Sequence, residues 1–309
     1  MSRNSRFPMF QAVLSLLMLS VFTVGVLAQE PFAPPQPGGP KAVLIQFHRG
    51  GGNDRPEGTL ETFEWAWSRG AIPEADARMT KDGVAISFHD ENLARIPRGI
   101  PEEMKSRKIK DLNWDEIKDL DVGSYIDPKY SNERISTMEA IFKVMQKHPE
   151  RYLYLDEKGA TPELMAKMSK ELGVQDRVIF ASTNYDLIVR WKKIAPNAKA
   201  IHWMGTWNAP LEESERKLQK RLDDLEKVGF AGIDILQIHV LTDLSKDDPF
   251  IPSSAFLRRA GELLKKHGVI FQSLSWTNGD KPETYRRLME LGVQSFATDY
   301  PDACLEGIK

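Results

Sequence analysis

The chain has 309 residues, of which 41% are hydrophobic and 28% charged, with a formal net charge of −2 and a single cysteine. A nearly balanced charge without a long basic run argues against a nucleic-acid partner. Cys304 alone excludes an intrachain disulfide and a cysteine-based zinc site, so the fold must rest on a hydrophobic core, which a chain of this length can build.

Arg3 and Arg6 precede an apolar run over 9–28, and Val26-Leu27-Ala28 is a small-residue cleavage site of the A-x-A type. Residues 1–28 therefore read as a secretion signal. The competing reading is an uncleaved anchor, because about 18 apolar residues just span a bilayer. No cysteine follows the run, which argues against a lipid-modified terminus. Cleavage after Ala28 removes two positive charges from the formal −2 and leaves −4. The mature protein is expected to be periplasmic or secreted, without stable membrane insertion. Residues 29–40 form a Pro/Gly-rich stretch that reads as an extended linker, and one domain is expected over 41–309.

Eight segments read as strands: 43–47, 72–77, 152–156, 178–181, 200–204, 233–239, 269–275 and 294–298. Helical patterns separate them at 60–69, 137–147, 162–172, 186–194, 212–228, 254–267 and 282–291. Ser136-x-x-Glu139 reads as a capping box, and Thr161-Pro162 places a cap residue before a proline at the first helical position. A further short strand, 84–88, reads as the return limb of a hairpin from 72–77, because six intervening residues are too few for a parallel crossover. A two-residue turn centred on Asp82-Gly83 sets position 89 opposite 76, and one centred on Lys81-Asp82 sets it opposite 74. Either brings His89 beside one of the carboxylates Glu74 and Asp76, which share a strand face at i and i+2. Residues 91–134 read as an irregular insertion capping the pocket mouth, and Cys304 as a small apolar residue of a terminal helix. Eight strands alternating with helices predict an α/β fold, a (β/α)8 TIM barrel with a β-hairpin arm and a short insertion after it.

In such a barrel the active site lies at the C-terminal ends of the strands. His48-Arg49-Gly50, Glu74-Ala75-Asp76, Asp156-Glu157-Lys158 and Thr298-Asp299 all fall there, with Glu57 and His89-Asp90 close by in sequence. Two imidazoles, a guanidinium and paired carboxylates are the parts of a metal-assisted phosphodiesterase. Attack on a phosphodiester anion needs its charge offset, which Arg49 and a divalent cation supply. It also needs proton transfer near neutral pH, to which His is best tuned. The other histidines read as structural: His148 and His267 sit at helix ends, where a cation complements the dipole, and His202 and His239 lie on barrel strands. Gln237 shares a strand face with His239, so one of the two is expected to line the pocket. Trp203, Trp207 and Trp276 read either as an apolar wall against the alcohol part of a substrate or as plain core.

The ordered motifs resemble those of the glycerophosphodiester phosphodiesterase family from about residue 43 to residue 306. His48-Arg49-Gly50 with Pro56-Glu57-Gly58-Thr59 is similar to the family's opening His-Arg-Gly and Pro-Glu-Asn-Thr. Glu74-Ala75-Asp76, Thr80-Lys81-Asp82-Gly83 and His89-Asp90 resemble its Glu-x-Asp, Thr-x-Asp-Gly and His-Asp series. Asp156-Glu157-Lys158, Trp276-Thr277 and Thr298-Asp299-Tyr300-Pro301 resemble its later strand ends. Gly58 stands where Asn is usual, which is expected to loosen the loop carrying Glu57, and Asp156 stands where Glu is usual. The resemblance implies one divalent cation, Ca²⁺ or Mg²⁺, held by Glu74, Asp76 and Asp156, with Glu157 the fallback if its strand is bulged. It implies His48 and His89 as acid and base in an unassigned order, activating water or the neighbouring glycerol hydroxyl. Arg49 and Lys158 would hold phosphate oxygens, Glu57 would be a further ligand or orient Arg49, and Gln237 and Trp276 would line the pocket. The implied reaction is hydrolysis of glycerophosphodiesters to sn-glycerol 3-phosphate and an alcohol. The alternatives are a lysophospholipase D acting on lysophospholipids and a non-catalytic binder of anionic ligands.

Overall fold

The computed structural model describes residues 44–309; the expected secretion signal, the expected linker and the expected start of the domain at Lys41 lie outside the described residues. In chain order the elements are β1 (Leu44–Phe47), α1 (Leu60–Ser68), β2 (Ile72–Met79), β3 (Ala85–Ser87), α2 (Glu102–Lys105), α3 (Trp114–Ile117), β4 (Ser136–Thr137) and α4 (Met138–Lys147). They continue with β5 (Leu153–Glu157), α5 (Pro162–Glu171), β6 (Val178–Ser182), α6 (Tyr185–Ile194), β7 (Lys199–Met204) and α7 (Leu211–Lys227). The last are β8 (Ile235–Thr242), β9 (Phe250–Ile251), α8 (Ser254–Lys266), β10 (Ile270–Ser275), α9 (Pro282–Glu290), β11 (Ser295–Thr298) and α10 (Pro301–Gly307).

Strands β1, β2, β5, β6, β7, β8, β10 and β11 pair side by side, all parallel, and β1 pairs with both β2 and β11, so the sheet closes into the predicted eight-stranded barrel. The two-residue strand period sorts each strand. Phe47, Ala75, Ala77, Leu155, Phe180, Leu236, Ile238 and Phe271 join the large core between barrel and helices. Their neighbours Gln46, Glu74, Asp156, Gln237 and His239 line a cavity inside the barrel mouth. Thr161 caps α5 as predicted, accepting from the Leu164 amide, with Pro162 at the first helical position. The capping box at Ser136 does not form. Thr137 caps α4, while the Ser136 hydroxyl accepts from the Leu60 amide at the start of α1. The competing acceptor site of Thr137, one residue on, satisfies the helix and frees Ser136 for a tertiary contact. The short pairing of β9 with the end of β8 was not expected, since a two-residue strand carries no readable period.

The hairpin forms, but with neither predicted turn. Ala77 pairs with Ser87 and Met79 with Ala85, which closes a three-residue loop, Lys81-Asp82-Gly83. Gly83 takes the left-handed backbone that such a loop needs at its third position (φ +84°), and Thr80 donates its hydroxyl to Asp82 (2.6 Å). Phe88, not His89, therefore faces Asp76, with its amide 2.8 Å from the Asp76 carbonyl. Pairing stops at Ser87, and His89 reaches the barrel mouth because the chain leaves the sheet there. The 91–134 insertion is packed rather than loose. Ile86 and Phe88 of the hairpin meet Leu93, Ile96, Ile109, Leu112, Ile117 and Val122 in a second small core. No helix of the described residues is long and apolar enough to cross a membrane. Cys304 is buried in α10, as expected of an apolar filler.

Candidate active site

The ends of β1, β2 and β5 deliver the charged groups. Asp76 lies directly beside Asp156 in the β2–β5 register, and Glu74 is two residues earlier on the same face. One carboxylate oxygen from each of Glu74, Asp76 and Asp156 comes within 4.8 Å of the others, and all three residues are buried. Glu157 faces away and accepts from the Gly159 amide at 2.7 Å, so the strand is regular at this point. Lys158 curls back so that its Nζ lies 2.6 Å from Asp156 Oδ2 and 3.9 Å from Asp76 Oδ1.

At the end of β1 the chain makes a tight turn in which Arg49 adopts a left-handed backbone (φ 53°) and its amide donates to Glu74 Oε2 at 3.1 Å. Gly50, at φ +90°, has no room for a Cβ, which would lie 2.3 Å from the Phe63 ring. The Arg49 guanidinium donates to Glu57 Oε2 (3.2 Å) and to His89 Nε2 (3.2 Å). Glu57 is outside the carboxylate cluster and orients Arg49. Its loop is tied down, because the Gly58 amide donates to the Arg49 carbonyl (3.0 Å) and the Glu57 amide to the Tyr125 hydroxyl (2.8 Å). Gly58 sits at φ +70°, the region that Gly and Asn both tolerate, so the turn itself accommodates the glycine.

Both candidate catalytic imidazoles are fixed by carboxylates. His48 Nδ1 is 2.6 Å from Asp299 Oδ1, which leaves Nε2 facing the cavity, 4.0 Å from Glu74 Oε2. His89 Nδ1 is 2.8 Å from Asp90 Oδ1, and its Nε2 accepts from Arg49. Several of these supports were not read from the sequence as having roles. Arg95, from the insertion, donates twice to Glu57 (2.7 and 2.8 Å) and twice to Asp90 (2.7 and 3.0 Å), so one guanidinium joins the supports of Arg49 and His89. Arg78 donates to the His89 carbonyl (2.7 and 2.9 Å) and to the Lys158 carbonyl (3.0 Å). The pairing of Asp90 was signalled by its place next to His89. Nothing local marked Arg95, Tyr125 or Arg78.

Electrostatics separate the two imidazoles. Burial alone would lower the pKa of His48, but Glu74 and Asp299 outweigh it and raise it to about 9. His89 is lowered, by burial and by the cations Arg49 and Lys158, against the pull of Asp90. Burial, Glu74 and Asp156 push Asp76 well above the usual carboxylate range. Burial and Glu74 raise Asp156 to about 6 in spite of Lys158. Crowding of the carboxylates thus raises Asp76 and Asp156 in spite of Lys158 and Arg49, and a bound cation would relieve that repulsion.

The cavity over these groups, about 250 Å³, is completed by Gln46, Gln237, His239, Trp203, Trp207 and Trp276. Both Gln237 and His239 line it, where one was expected. His202 does not line it; its Nε2 lies 3.3 Å from Arg221. His148 and His267 cap helix ends as expected.

An eight-stranded parallel barrel with three acids, two basic side chains and two carboxylate-anchored imidazoles at its C-terminal mouth defines a hydrolase for phosphate esters. The sequence model of the glycerophosphoryl diester phosphodiesterase family matches residues 48–303. A glycerophosphodiester phosphodiesterase of Caldanaerobacter subterraneus subsp. tengcongensis is 32% identical over 276 residues, covering 86% of this chain and 98% of its own length. The fold is shared with a glycerophosphoryl diester phosphodiesterase from Parabacteroides distasonis (TM-score 0.63, 23% identity, 87% of this chain and 86% of that one). It is also shared with an Oleispira antarctica phosphodiesterase solved with the product sn-glycerol-3-phosphate (TM-score 0.62, 22% identity, 86% and 96%). The chain belongs to the glycerophosphoryl diester phosphodiesterase family and is a phosphoric diester hydrolase.

Proposed function

We propose that the protein is an exported, metal-dependent enzyme that releases sn-glycerol 3-phosphate and an alcohol from glycerophosphodiesters, with His89 as base and His48 as acid. The observation that carries this reading is the pairing of two imidazoles with opposite charge preferences around one buried carboxylate cluster. His89 accepts from Arg49 at Nε2, so that nitrogen is unprotonated, and it takes a proton from water or from the glycerol hydroxyl once Arg49 turns to the substrate phosphate. His48, tied through Nδ1 to Asp299, presents a protonated Nε2 to the departing alcohol oxygen. The new bond to phosphorus forms as the bond to that oxygen breaks, so one proton is taken and one given; where the glycerol hydroxyl attacks, the cyclic phosphate it forms is then opened by water, with His48 as base and His89 as acid, to give sn-glycerol 3-phosphate. Arg49 and Lys158 hold the non-bridging oxygens through charge-assisted hydrogen bonds.

Glu74, Asp76 and Asp156 would hold the divalent cation. Their all-oxygen donors suit a hard ion, Ca²⁺ or Mg²⁺, and the raised pKa values of Asp76 and Asp156 reflect the crowding of charge that such an ion would relieve. When bound, a divalent cation supplies Lewis-acid polarisation of the phosphoryl oxygens. Export rests on the sequence of residues 1–28.

The test is a product assay on glycerophosphocholine, glycerophosphoethanolamine, glycerophosphoglycerol and lysophosphatidylcholine, with metals restored after chelation. Release of sn-glycerol 3-phosphate only with metal is expected. Faster turnover of lysophosphatidylcholine would reassign the enzyme as a lysophospholipase D, and binding without turnover would leave a non-catalytic protein.

A further inference from the structure

Next to the phosphate cavity lies a second cavity of about 220 Å³, which shares Trp207, His239 and Trp276 with it. No side chain of fixed charge lines this second cavity among the described residues; Leu241 and Ile251 form part of its wall. Trp276 links the two spaces, since its ring meets that of His48 edge-on at 5.6 Å. Trp207 and Trp276 lie 5.7 Å apart, and His239 stands edge-on to both, at 6.1 and 5.3 Å, while stacking flat on Trp203 at 5.2 Å.

Trp207 is not held there by core packing. It is 66% exposed, and both Trp207 and Asn208 adopt left-handed backbone (φ 38° and 32°) in the loop between β7 and α7. A large exposed aromatic ring on non-glycine left-handed backbone at a pocket mouth points to recognition more than to folding.

His239 adds an uncharged ring. Ser295 donates to the Leu44 carbonyl, Gln272 Nε2 to Ser295, and Gln237 Nε2 to Gln272. Gln237 therefore offers only its carbonyl oxygen, so His239 must donate from Nε2 (2.8 Å). Burial and the neighbouring cations, His48 first, keep it neutral down to a pKa of about 3.

We propose that this aromatic pocket is the subsite for the alcohol part of the phosphodiester and selects a quaternary ammonium headgroup. The inference rests on the hydrolase reading above. A headgroup tethered to the phosphate passes His48 and meets Trp276 and Trp207. A primary ammonium or a polyol would find no carboxylate here and only neutral acceptors, the unpaired His239 Nδ1 with Thr206 and Asn208, to receive its donors in place of water. A trimethylammonium group has no donors and is weakly hydrated, and the faces of tryptophan attract it. The cavity is the volume of about seven waters at ~30 Å³ each, enough for a group of six or seven heavy atoms.

The experiment compares kcat/KM of the metal-loaded enzyme and its Trp207→Leu variant on four esters: glycerophosphocholine, its uncharged 3,3-dimethylbutyl isostere, glycerophosphoethanolamine and glycerophosphoglycerol. The wild type should turn over the choline ester about tenfold faster than the ethanolamine ester. It should favour choline about two- to fivefold over the isostere, the factor of a partly exposed cation–π contact. Trp207→Leu should lower kcat/KM for choline at least fivefold more than for glycerophosphoglycerol. Equal or faster turnover of the ethanolamine ester overturns the proposal, as does a proportional loss on all esters in the variant. An isostere as good as choline also overturns it, by making the pocket merely apolar. Turnover of none of the four would sink the hydrolase reading itself, a result distinct from turnover without headgroup preference.

Discussion

Replacing Asp156 by Asn should make the metal-free protein more stable while weakening its hold on metal. Asp156 is buried and its pKa is raised from 3.8 to about 6, by burial and Glu74 against the pull of Lys158. A folded-state pKa above the unfolded one means that the native protein binds more protons, so stability falls as pH rises from about 4 through 6. A rise of that size corresponds to on the order of 3 kcal/mol of destabilisation above pH 7, and to only a small part of it at pH 4. Asparagine keeps the shape and an acceptor for Lys158 but removes the charge. With chelator at pH 7.5 the variant should therefore melt roughly 6 °C above wild type, at about 2 °C per kcal/mol for a domain of this size. At pH 4 the gap should nearly vanish. Ca²⁺ or Mg²⁺ at a thousand times its Kd should reverse the order, since it adds about 4.1 kcal/mol to a protein that binds it only when folded, more than the charge of Asp156 costs. Melting curves in chelator and in metal, at both pH values, decide the matter. A chelated variant that melts below wild type at pH 7.5, or a gap independent of pH, would show that the three acids carry no unbalanced charge.

His48→Ala and His89→Ala should each lose ~10²–10⁴-fold in kcat while keeping the wild-type circular dichroism, and a variant retaining a third of kcat at saturating metal is not part of the proton transfer. The pH profile of kcat/KM should fall on the acid side below the ordinary His range, as His89 protonates, and on the basic side as His48 loses its proton, at a pH below the value of about 9 of the metal-free protein because the cation offsets Glu74; a rate still flat at pH 10 would remove His48 as the acid. Arg95→Met strips Asp90 of its guanidinium, so Asp90 pulls harder on the His89 proton and the acid limb should move to higher pH, whereas an unmoved limb with a uniform loss would reduce Arg95 to a packing role. Expressed with its own leader, the protein should begin at Gln29 and be recovered in soluble form; Met1 at the terminus of a membrane-bound product would identify an anchor instead.

Local chemistry wrote most of the fold into the sequence. The strand and helix order follows from hydrophobic period and from caps such as Thr161-Pro162, which act within a few residues. The common face of Glu74 and Asp76 follows from a period of two, and regular β5 puts Asp156, not Glu157, beside them. Where the outcome depended on distance through space, sequence reasoning stopped short. The hairpin turn took a third residue because Asp82 accepts both from Thr80 and from the Trp114 amide of the insertion, a contact across 32 positions. His48 is anchored by Asp299, 251 residues away, and Arg95 and Tyr125 enter the site from a segment without a readable period. The opposite shifts of His48 and His89 arise from which charges each partly buried ring meets, and a residue type alone carries no information about its neighbours. The sequence by itself determined which groups are present and on which elements they ride. Only the closed barrel decided which carboxylate faces which imidazole, because pairing and burial are properties of the packed chain and not of any segment of it.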